Sequence, residues 1–314
     1  MRVVLQWAVL GLITVVFLGG GHLPHEVYSQ ENTPTMVPTF TISVMPTFTP
    51  QPTATREVIL PTEVNGVLLS QFIQISPETQ ANILRIAQIG DEMGRNPRAF
   101  SKLGDSTFEP PFFLTRFDVG PFNLGPYEYL SPILNYYRGS YSRTSMSVVR
   151  GLHTWSVLDS MWTPRGGGCI GGENMLECEF RLHNPSLLLI RLGSNDRGNT
   201  SALEQNMREI IEFTIENGII PILSTKADRF DGPNNTNNEI VRALATEYLL
   251  PLWDYDLVAS TLADRGLVGD QVHYTSFESL DYTRPDAFTR GQGIHNLTAL
   301  MMLDAVRFAL DATN

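Results

Sequence analysis

The sequence predicts an α/β fold in which helices cover both faces of a mainly parallel sheet. Short, continuously apolar runs, LLLI at 187–190 and IIPIL at 219–223, alternate along the chain with segments whose apolar residues recur every three or four positions. Apolar runs of this kind are typical of parallel strands buried on both faces, and the three- and four-residue repeat is that of amphipathic helices. We therefore expect one doubly wound domain, spanning residues 76–314.

The elements of this domain can be placed in order. Ser76 is a typical N-cap, and Ile83, Ile86 and Ile89 follow it at helical spacing, so the domain is expected to open with a helix. Five strands and three later helices complete the prediction. The strands are expected at 98–104, 145–151, 186–193, 217–225 and 248–255, and the helices at 202–218, 237–248 and 296–313.

The segments before this domain differ in composition. Residues 1–29 contain a nearly uninterrupted apolar stretch at 3–21 behind one positive charge, which predicts a signal peptide or an N-terminal membrane anchor. Residues 30–75 are rich in Thr and Pro, which predicts a disordered stalk, since proline removes backbone donors. We expect an extracytoplasmic protein, secreted or anchored at the outer face of a membrane.

Charge and cysteine content narrow the classes of partner. A net charge of −11 without any cluster of Lys and Arg argues against a nucleic-acid partner. The chain has two cysteines, Cys169 and Cys178, in a Gly-rich stretch. Two nearby cysteines in an exported protein favour a disulfide over a metal site. The acidic loop with Asp228 and Asp231 is expected to be solvated.

The polar residues that follow the predicted strands indicate a chemistry, because ligands bind at the carboxyl ends of such strands. Ser106 follows the first strand, and Asp270 and His273 come later with two residues between them. A serine becomes a nucleophile when a histidine, oriented by a carboxylate, takes its proton. The backbone N–H groups of Ser106 and Gly151 and the side-chain amide of Asn195 are candidates for an oxyanion hole.

Four blocks in this order, GDS at 104–106, Gly151, GSND at 193–196 and DQVH at 270–273, resemble those of the SGNH/GDSL hydrolase superfamily. The resemblance covers residues 99–311. It implies a three-layer α/β/α flavodoxin-like domain, with a central parallel sheet of about five strands. It also implies Ser106 as nucleophile, His273 as base, Asp270 as its orienting carboxylate, and no cofactor.

Three features leave alternatives open. His295, at the start of the last predicted helix, competes with His273 for the role of base, but Gln292 stands where a carboxylate would be needed. The block after Ser106 continues TFEPP at 107–111 and departs from the family's common pattern, which puts the acyl pocket in question. The tyrosines between 127 and 141 are expected to be packed or to form a substrate wall.

The sequence therefore predicts an exported serine esterase that hydrolyses carboxylic esters, such as acetyl esters of carbohydrates, through an acyl-enzyme. A lipid-directed acylhydrolase is the alternative within the enzymes. A non-catalytic glycan-binding module on the same fold is the alternative outside them. The partner is a small-molecule or glycan ester, with membrane attachment depending on the fate of residues 1–29.

Overall fold

The computed structural model describes residues 60–312, in which two sheets and a series of helices are present. The strands are β1 (Glu63–Val64), β2 (Val67–Leu68), β3 (Ile73–Gln74), β4 (Asn96–Gly104), β5 (Pro185–Arg191), β6 (Ile220–Ser224) and β7 (Leu252–Trp253). The helices are α1 (Leu69–Phe72), α2 (Pro77–Glu92), α3 (Arg116–Val119), α4 (Ser131–Tyr136), α5 (Met175–His183), α6 (Thr200–Glu216), α7 (Thr236–Glu247), α8 (Tyr255–Ala259) and α9 (Gly291–Asp311).

The main sheet has five strands in the order β3-β7-β6-β5-β4, and β4 to β7 are parallel. All five residues of β6 are buried. Because successive side chains of a strand point to opposite faces, this burial requires cover on both faces of the sheet. The cover includes α2, α6 and α7, which all contact β6. The predicted α/β class, with helices around a largely parallel five-stranded sheet, is confirmed.

The segment 145–151, predicted to be a strand, is not one. It touches the sheet through a single bridge between Gly104 and Val148. The hydroxyls of Ser145 and Ser147 bind the carbonyl oxygen of Lys102, at 2.6 and 2.9 Å, and so occupy an acceptor that a paired strand would use. Side-chain hydrogen bonds of this kind compete with a strand ladder. The prediction was therefore wrong in element type, although the segment does lie at the end of β4.

The fifth strand comes from a part of the chain that was assigned to the stalk. Ile73 and Gln74 of β3 pair with Trp253 and Leu252 of β7 in antiparallel register. Phe72 just before them is fully buried, and its carbonyl accepts a hydrogen bond from Asp254 at 2.7 Å. The folded domain therefore begins before residue 76, and the stalk prediction is incorrect for 60–75. The predictions for 1–29 and 30–59 lie outside the described residues.

Several other sequence predictions concern the surface and the packing. Cys169 and Cys178 form the predicted disulfide, which joins a loop to α5. The tyrosines at 127, 137 and 141 are buried in the core, as the packing alternative predicts. No helix between residues 60 and 312 is long and apolar enough to cross a membrane.

Candidate active site

The Ser106 side chain is positioned by a tight turn at the carboxyl end of β4. Residues Ser106–Phe108 form one turn of 3-10 helix, and Asp105 caps it by accepting hydrogen bonds from the Thr107 N–H at 2.9 Å and the Thr107 hydroxyl at 2.6 Å. A Cβ atom on Gly104 would lie 2.8 Å from the Phe108 ring, so glycine is required where the turn folds back on its strand. Asp105 therefore shapes the turn, and Ser106 stays half-buried with its side chain free for other contacts.

Ser106, His273 and Asp270 form one continuous chain of hydrogen bonds. The Nε2 atom of His273 lies 2.9 Å from the Oγ atom of Ser106, and Nδ1 lies 2.7 Å from Oδ2 of Asp270. This is the order in which a triad works, with the carboxylate behind the imidazole and the hydroxyl in front of it. The structure thus brings together the three residues predicted from sequence.

The loop that carries His273 is built around the Asp270 carboxylate. Its Oδ1 atom accepts the backbone N–H groups of Val272 at 2.9 Å and His273 at 3.0 Å. Partial burial works to raise the pKa of Asp270, but the hydrogen bonds from the His273 ring and from these N–H groups outweigh it and lower that pKa to about 2. Asp270 is therefore ionised at neutral pH, as the orienting role requires.

The oxyanion-hole candidates are available as donors. Among the described residues, neither the Ser106 N–H nor the Gly151 N–H is taken by a protein acceptor. Gly151 has a φ of +73°, a conformation that favours glycine. The Asn195 amide donates one hydrogen bond to the Leu152 carbonyl at 3.1 Å, which leaves its second N–H for a ligand.

The block at 193–196 is tied to the loop that follows Gly151. Asp196 accepts hydrogen bonds from the Thr154 N–H at 3.0 Å and the Thr154 hydroxyl at 2.7 Å. On the other side, the Ser194 hydroxyl donates to Asp228 at 2.6 Å. Asp196 therefore joins the two blocks that hold Gly151 and Asn195.

A cavity of about 300 Å³ opens beside the reacting side chains. It is lined by Ser106, Thr107, Phe112, Val268, His273, Tyr274, Ser276, Gln292 and His295. Thr107 begins the stretch 107–111 that departs from the common family pattern, and Phe112 directly follows that stretch. That stretch therefore does contribute to the wall of the cavity.

The rival histidine, His295, belongs to the same cavity but has a different environment. It is 1% exposed, and Phe113 and Trp253 stack on its ring at centroid distances of 4.5 and 5.2 Å. Its Nε2 atom lies 3.0 Å from Nη1 of Arg191. Burial, together with the neighbouring Arg191 charge, lowers the pKa of His295 well below its usual range. A neutral ring bound to a cation is not arranged to take the Ser106 proton.

The Asp228 and Asp231 side chains of the acidic loop after β6 are buried, contrary to the expectation that the loop is solvated. Lys226 is 2% exposed, and its Nζ atom lies 3.0 Å from Asp228 and 2.6 Å from Asp231. The lysine neutralises the carboxylates, which the sequence reading had not paired with it. Within the described range, no group of three or more His, Cys, Asp or Glu side chains is arranged to hold a metal ion.

Arg191 and Tyr274 are residues near the site that sequence reasoning missed. Arg191 ends the apolar strand β5, and Nη1 of its guanidinium donates to the Tyr274 hydroxyl. Burial raises the pKa of Tyr274 to about 12, so its hydroxyl is protonated at neutral pH. A charged residue that ends a continuously apolar strand was the one signal in the sequence that could have pointed to this pair.

No family model and no curated protein matches the chain. Among solved structures, a GDSL-like lipase from Bacteroides thetaiotaomicron aligns with 74% of this chain and 100% of its own, at 18% identity and a TM-score of 0.43. A catalytic mutant of an acetylxylan esterase from Geobacillus stearothermophilus aligns with 65% of this chain and 93% of its own, at 15% identity and a TM-score of 0.40. By name, the first is a lipase of the GDSL kind that the four sequence blocks resemble, and the second is an esterase. At these TM-scores the likeness carries no further argument.

Proposed function

We propose that this protein is a serine esterase that hydrolyses carboxylic esters through an acyl-enzyme. The observation that carries the proposal is the hydrogen-bond chain from Ser106 Oγ to His273 Nε2, at 2.9 Å, and from His273 Nδ1 to Asp270, at 2.7 Å. These distances are those of a nucleophile and base poised for proton transfer. Ionised Asp270 would hold the imidazole in the tautomer whose Nε2 accepts the serine proton.

In the first half of the reaction, Ser106 Oγ attacks the ester carbonyl carbon while its proton moves to His273 Nε2. The carbonyl oxygen becomes negative, and the N–H groups of Ser106, Gly151 and Asn195 are the proposed donors that stabilise it. When the intermediate collapses, the C–O bond to the alcohol breaks, and His273 returns the proton to the departing oxygen. The acyl group remains on Ser106.

In the second half, water attacks the acyl-enzyme. His273 takes a proton from the water, the same donors receive the negative oxygen, and the Ser106–acyl bond breaks. The proton returns from His273 to Ser106 Oγ, and the carboxylic acid leaves. Every step uses side chains of this chain, and no cofactor enters the balance.

We further propose that the natural ester carries a small acyl group, such as an acetyl group on a carbohydrate. The cavity volume of about 300 Å³ is at the small end of ligand pockets. A lipid-directed acylhydrolase would need room for a long chain. A series of p-nitrophenyl esters from acetate to palmitate separates the two, and a kcat/KM that rises steadily to palmitate would overturn the small-acyl proposal.

Export is part of the proposal. It is supported by the apolar stretch at 3–21 and by the Cys169–Cys178 disulfide, since disulfides persist in oxidising compartments. Thiol labelling of protein taken directly from its host tests this point. Cysteines that react only after reduction are expected, and freely reactive thiols would contradict export.

The decisive experiment replaces the nucleophile. Ser106→Ala in the full chain should abolish turnover of p-nitrophenyl acetate and covalent labelling by a fluorophosphonate probe. Ser260→Ala, at an exposed serine whose hydroxyl binds only the Leu257 carbonyl, is the matched control and should keep both. Unlabelled wild-type protein would favour the glycan-binding module, because an unactivated serine does not react with the probe.

A further inference from the structure

The strongest unexplained feature of the described part is Arg191, a buried cation without a carboxylate partner. It is 3% exposed, and no Asp or Glu of residues 60–312 forms an ion pair with it. Its Nη1 atom contacts Tyr274 and His295, its Nη2 atom has no protein partner, and its guanidinium lies 4.8 Å from the centre of the Phe108 ring. Burying a guanidinium without a carboxylate partner costs folding free energy, so the presence of Arg191 here points to a function.

Arg191 fixes which nitrogen of His295 carries the proton. A guanidinium only donates hydrogen bonds, so the His295 Nε2 atom, 3.0 Å from Arg191 Nη1, must accept. Since burial keeps the ring neutral, its one proton resides on Nδ1. The tautomer thus follows from the chemistry of the partner.

The resulting Nδ1–H group has no acceptor in the protein among residues 60–312, although His295 is almost fully buried. The Nδ1 atom is not one of the fully enclosed polar atoms that lack a hydrogen-bond partner, so it is accessible. His295 lines the cavity beside Ser106. The buried Nδ1–H therefore gains a hydrogen bond only from something that enters the cavity. Ser276 lines the same cavity and is exposed.

The cavity beside Ser106 offers room for the acyl arm of the ester. His273 and Asp270 are each half exposed, so the alcohol that His273 protonates can leave directly to solvent. The acyl group, in contrast, stays bonded to Ser106 until water releases it. The cavity that begins at Ser106 and reaches His295 is the space in which it can lie.

We infer that the acyl cavity is a subsite for acyl groups that bear a hydrogen-bond acceptor oxygen, a keto or ether oxygen on the chain, which accepts from His295 Nδ1–H. Phe112 and Val268 contact the carbon part of the chain, and the Ser276 hydroxyl offers a second donor. Arg191 is a positioning residue that sets the His295 tautomer by donating to its Nε2 atom. This inference rests on the proposed esterase activity and, among small acyl groups, favours those with such an oxygen over the plain acetyl group.

The test compares esters of matched shape. p-Nitrophenyl 4-oxopentanoate is compared with 4-methylpentanoate, and p-nitrophenyl methoxyacetate with butyrate, each rate being divided by that for hydrolysis by hydroxide. The wild-type protein should prefer at least one oxygen-bearing ester by about tenfold in kcat/KM, the effect expected of one hydrogen bond. Equal normalised kcat/KM values within both pairs would overturn the inference.

Two variants separate the Nδ1 donor from the Arg191 contact. In His295→Gln, an amide oxygen can replace Nε2 as the acceptor for Arg191, but no donor remains at Nδ1, so the preference should disappear. In His295→Asn, the amide N–H can occupy the Nδ1 position, so the preference should exceed that of the Gln variant. A preference that persists unchanged in His295→Gln would contradict the inference.

The outcomes also distinguish this inference from the proposed function. If the wild-type protein hydrolyses none of the four esters and resists the fluorophosphonate probe, the esterase proposal fails and the subsite falls with it. If it hydrolyses plain and oxygen-bearing esters alike, the esterase proposal stands and only the subsite fails. Where a variant does not fold, equal normalised rates within both ester pairs of the wild-type protein still overturn the subsite inference.

Discussion

Two histidines line the cavity beside Ser106, and their surroundings make them opposites. His273 lies on a loop, half exposed, with the ionised Asp270 at 2.7 Å. His295 lies in the first two turns of α9, almost fully buried, with the Arg191 cation at 3.0 Å. An imidazole beside a carboxylate is stabilised when it takes a proton, whereas one beside a buried guanidinium is held neutral.

The hydrogen-bond partner of each histidine, Asp270 or Arg191, therefore determines the role of its ring. The Nδ1 atom of His273 binds an acceptor, Asp270, so its Nε2 atom can exchange a proton with Ser106. His295 receives a donor behind it and must present its own N–H to the cavity. The same side chain thus serves as a proton carrier at one wall of the cavity and as a fixed donor at another.

The largest effect should come from removing the exposed histidine. We expect His273→Gln to lower kcat for p-nitrophenyl acetate by about 10³-fold or more, because Ser106 then has no base. Steady-state kinetics with the matched His295→Gln variant provides the comparison. A larger loss in His295→Gln than in His273→Gln would reverse the assignment of the base.

A smaller loss is expected from Asp270→Asn, which keeps the shape of the loop but removes the charge behind His273. We expect kcat to fall less than in His273→Gln because the base remains, although an amide stabilises the imidazolium poorly and can hold the wrong tautomer. The variant Asp281→Asn, at an exposed aspartate that caps its own turn, is the control. An Asp270→Asn enzyme with wild-type kcat would show that the carboxylate has no part in the reaction.

The sequence allowed the His273 side of this comparison to be predicted, because that side is local. Asp270 and His273 are three residues apart, and the carboxylate accepts the backbone N–H of His273 itself, so short-range geometry already aligns the pair. The turn at Ser106 is equally local, since Asp105 caps it two residues away. Strand β4, which this turn follows, was also predicted from sequence, at 98–104.

The His295 side could not be predicted, because its partners come from distant parts of the chain. Arg191 lies 104 residues before His295, and no spacing rule relates them. The pairing of Lys226 with Asp228 and Asp231 was missed for another reason, since burial of a charged loop depends on what packs over it. The error at 145–151 had a local cause, the serine hydroxyls that bind the Lys102 carbonyl.

A moderate effect should appear in the pH dependence of stability. His295 stays neutral in the folded protein because burial lowers its pKa, whereas in the unfolded chain it takes up a proton below about pH 6.5. Its contribution to the free energy of unfolding is therefore complete above that pH and is lost as the pH falls. Between pH 7.5 and 5.5 the wild-type protein should lose about 1.4 kcal/mol more than His295→Gln.

Urea denaturation of both proteins at the two pH values measures this difference. His183, whose pKa burial also lowers, is present in both proteins, so its contribution cancels. Equal losses of unfolding free energy in the two proteins would mean that His295 titrates normally when folded. His295 would then be as protonatable as His273, and the proposed difference between the two histidines would be wrong.

The smallest effect should be that of His295→Gln on an acetyl ester. An acetyl group has no oxygen beyond the ester carbonyl, so it cannot accept a hydrogen bond from the His295 Nδ1–H. Loss of that N–H in His295→Gln should therefore change kcat/KM for p-nitrophenyl acetate by less than about threefold. The same substitution at position 273 should cost about 10³-fold, so one pair of variants sets the two histidines side by side. A loss of a hundredfold or more in His295→Gln would place His295 in the proton transfer itself, and the division of roles between a proton carrier and a fixed donor would have to be abandoned.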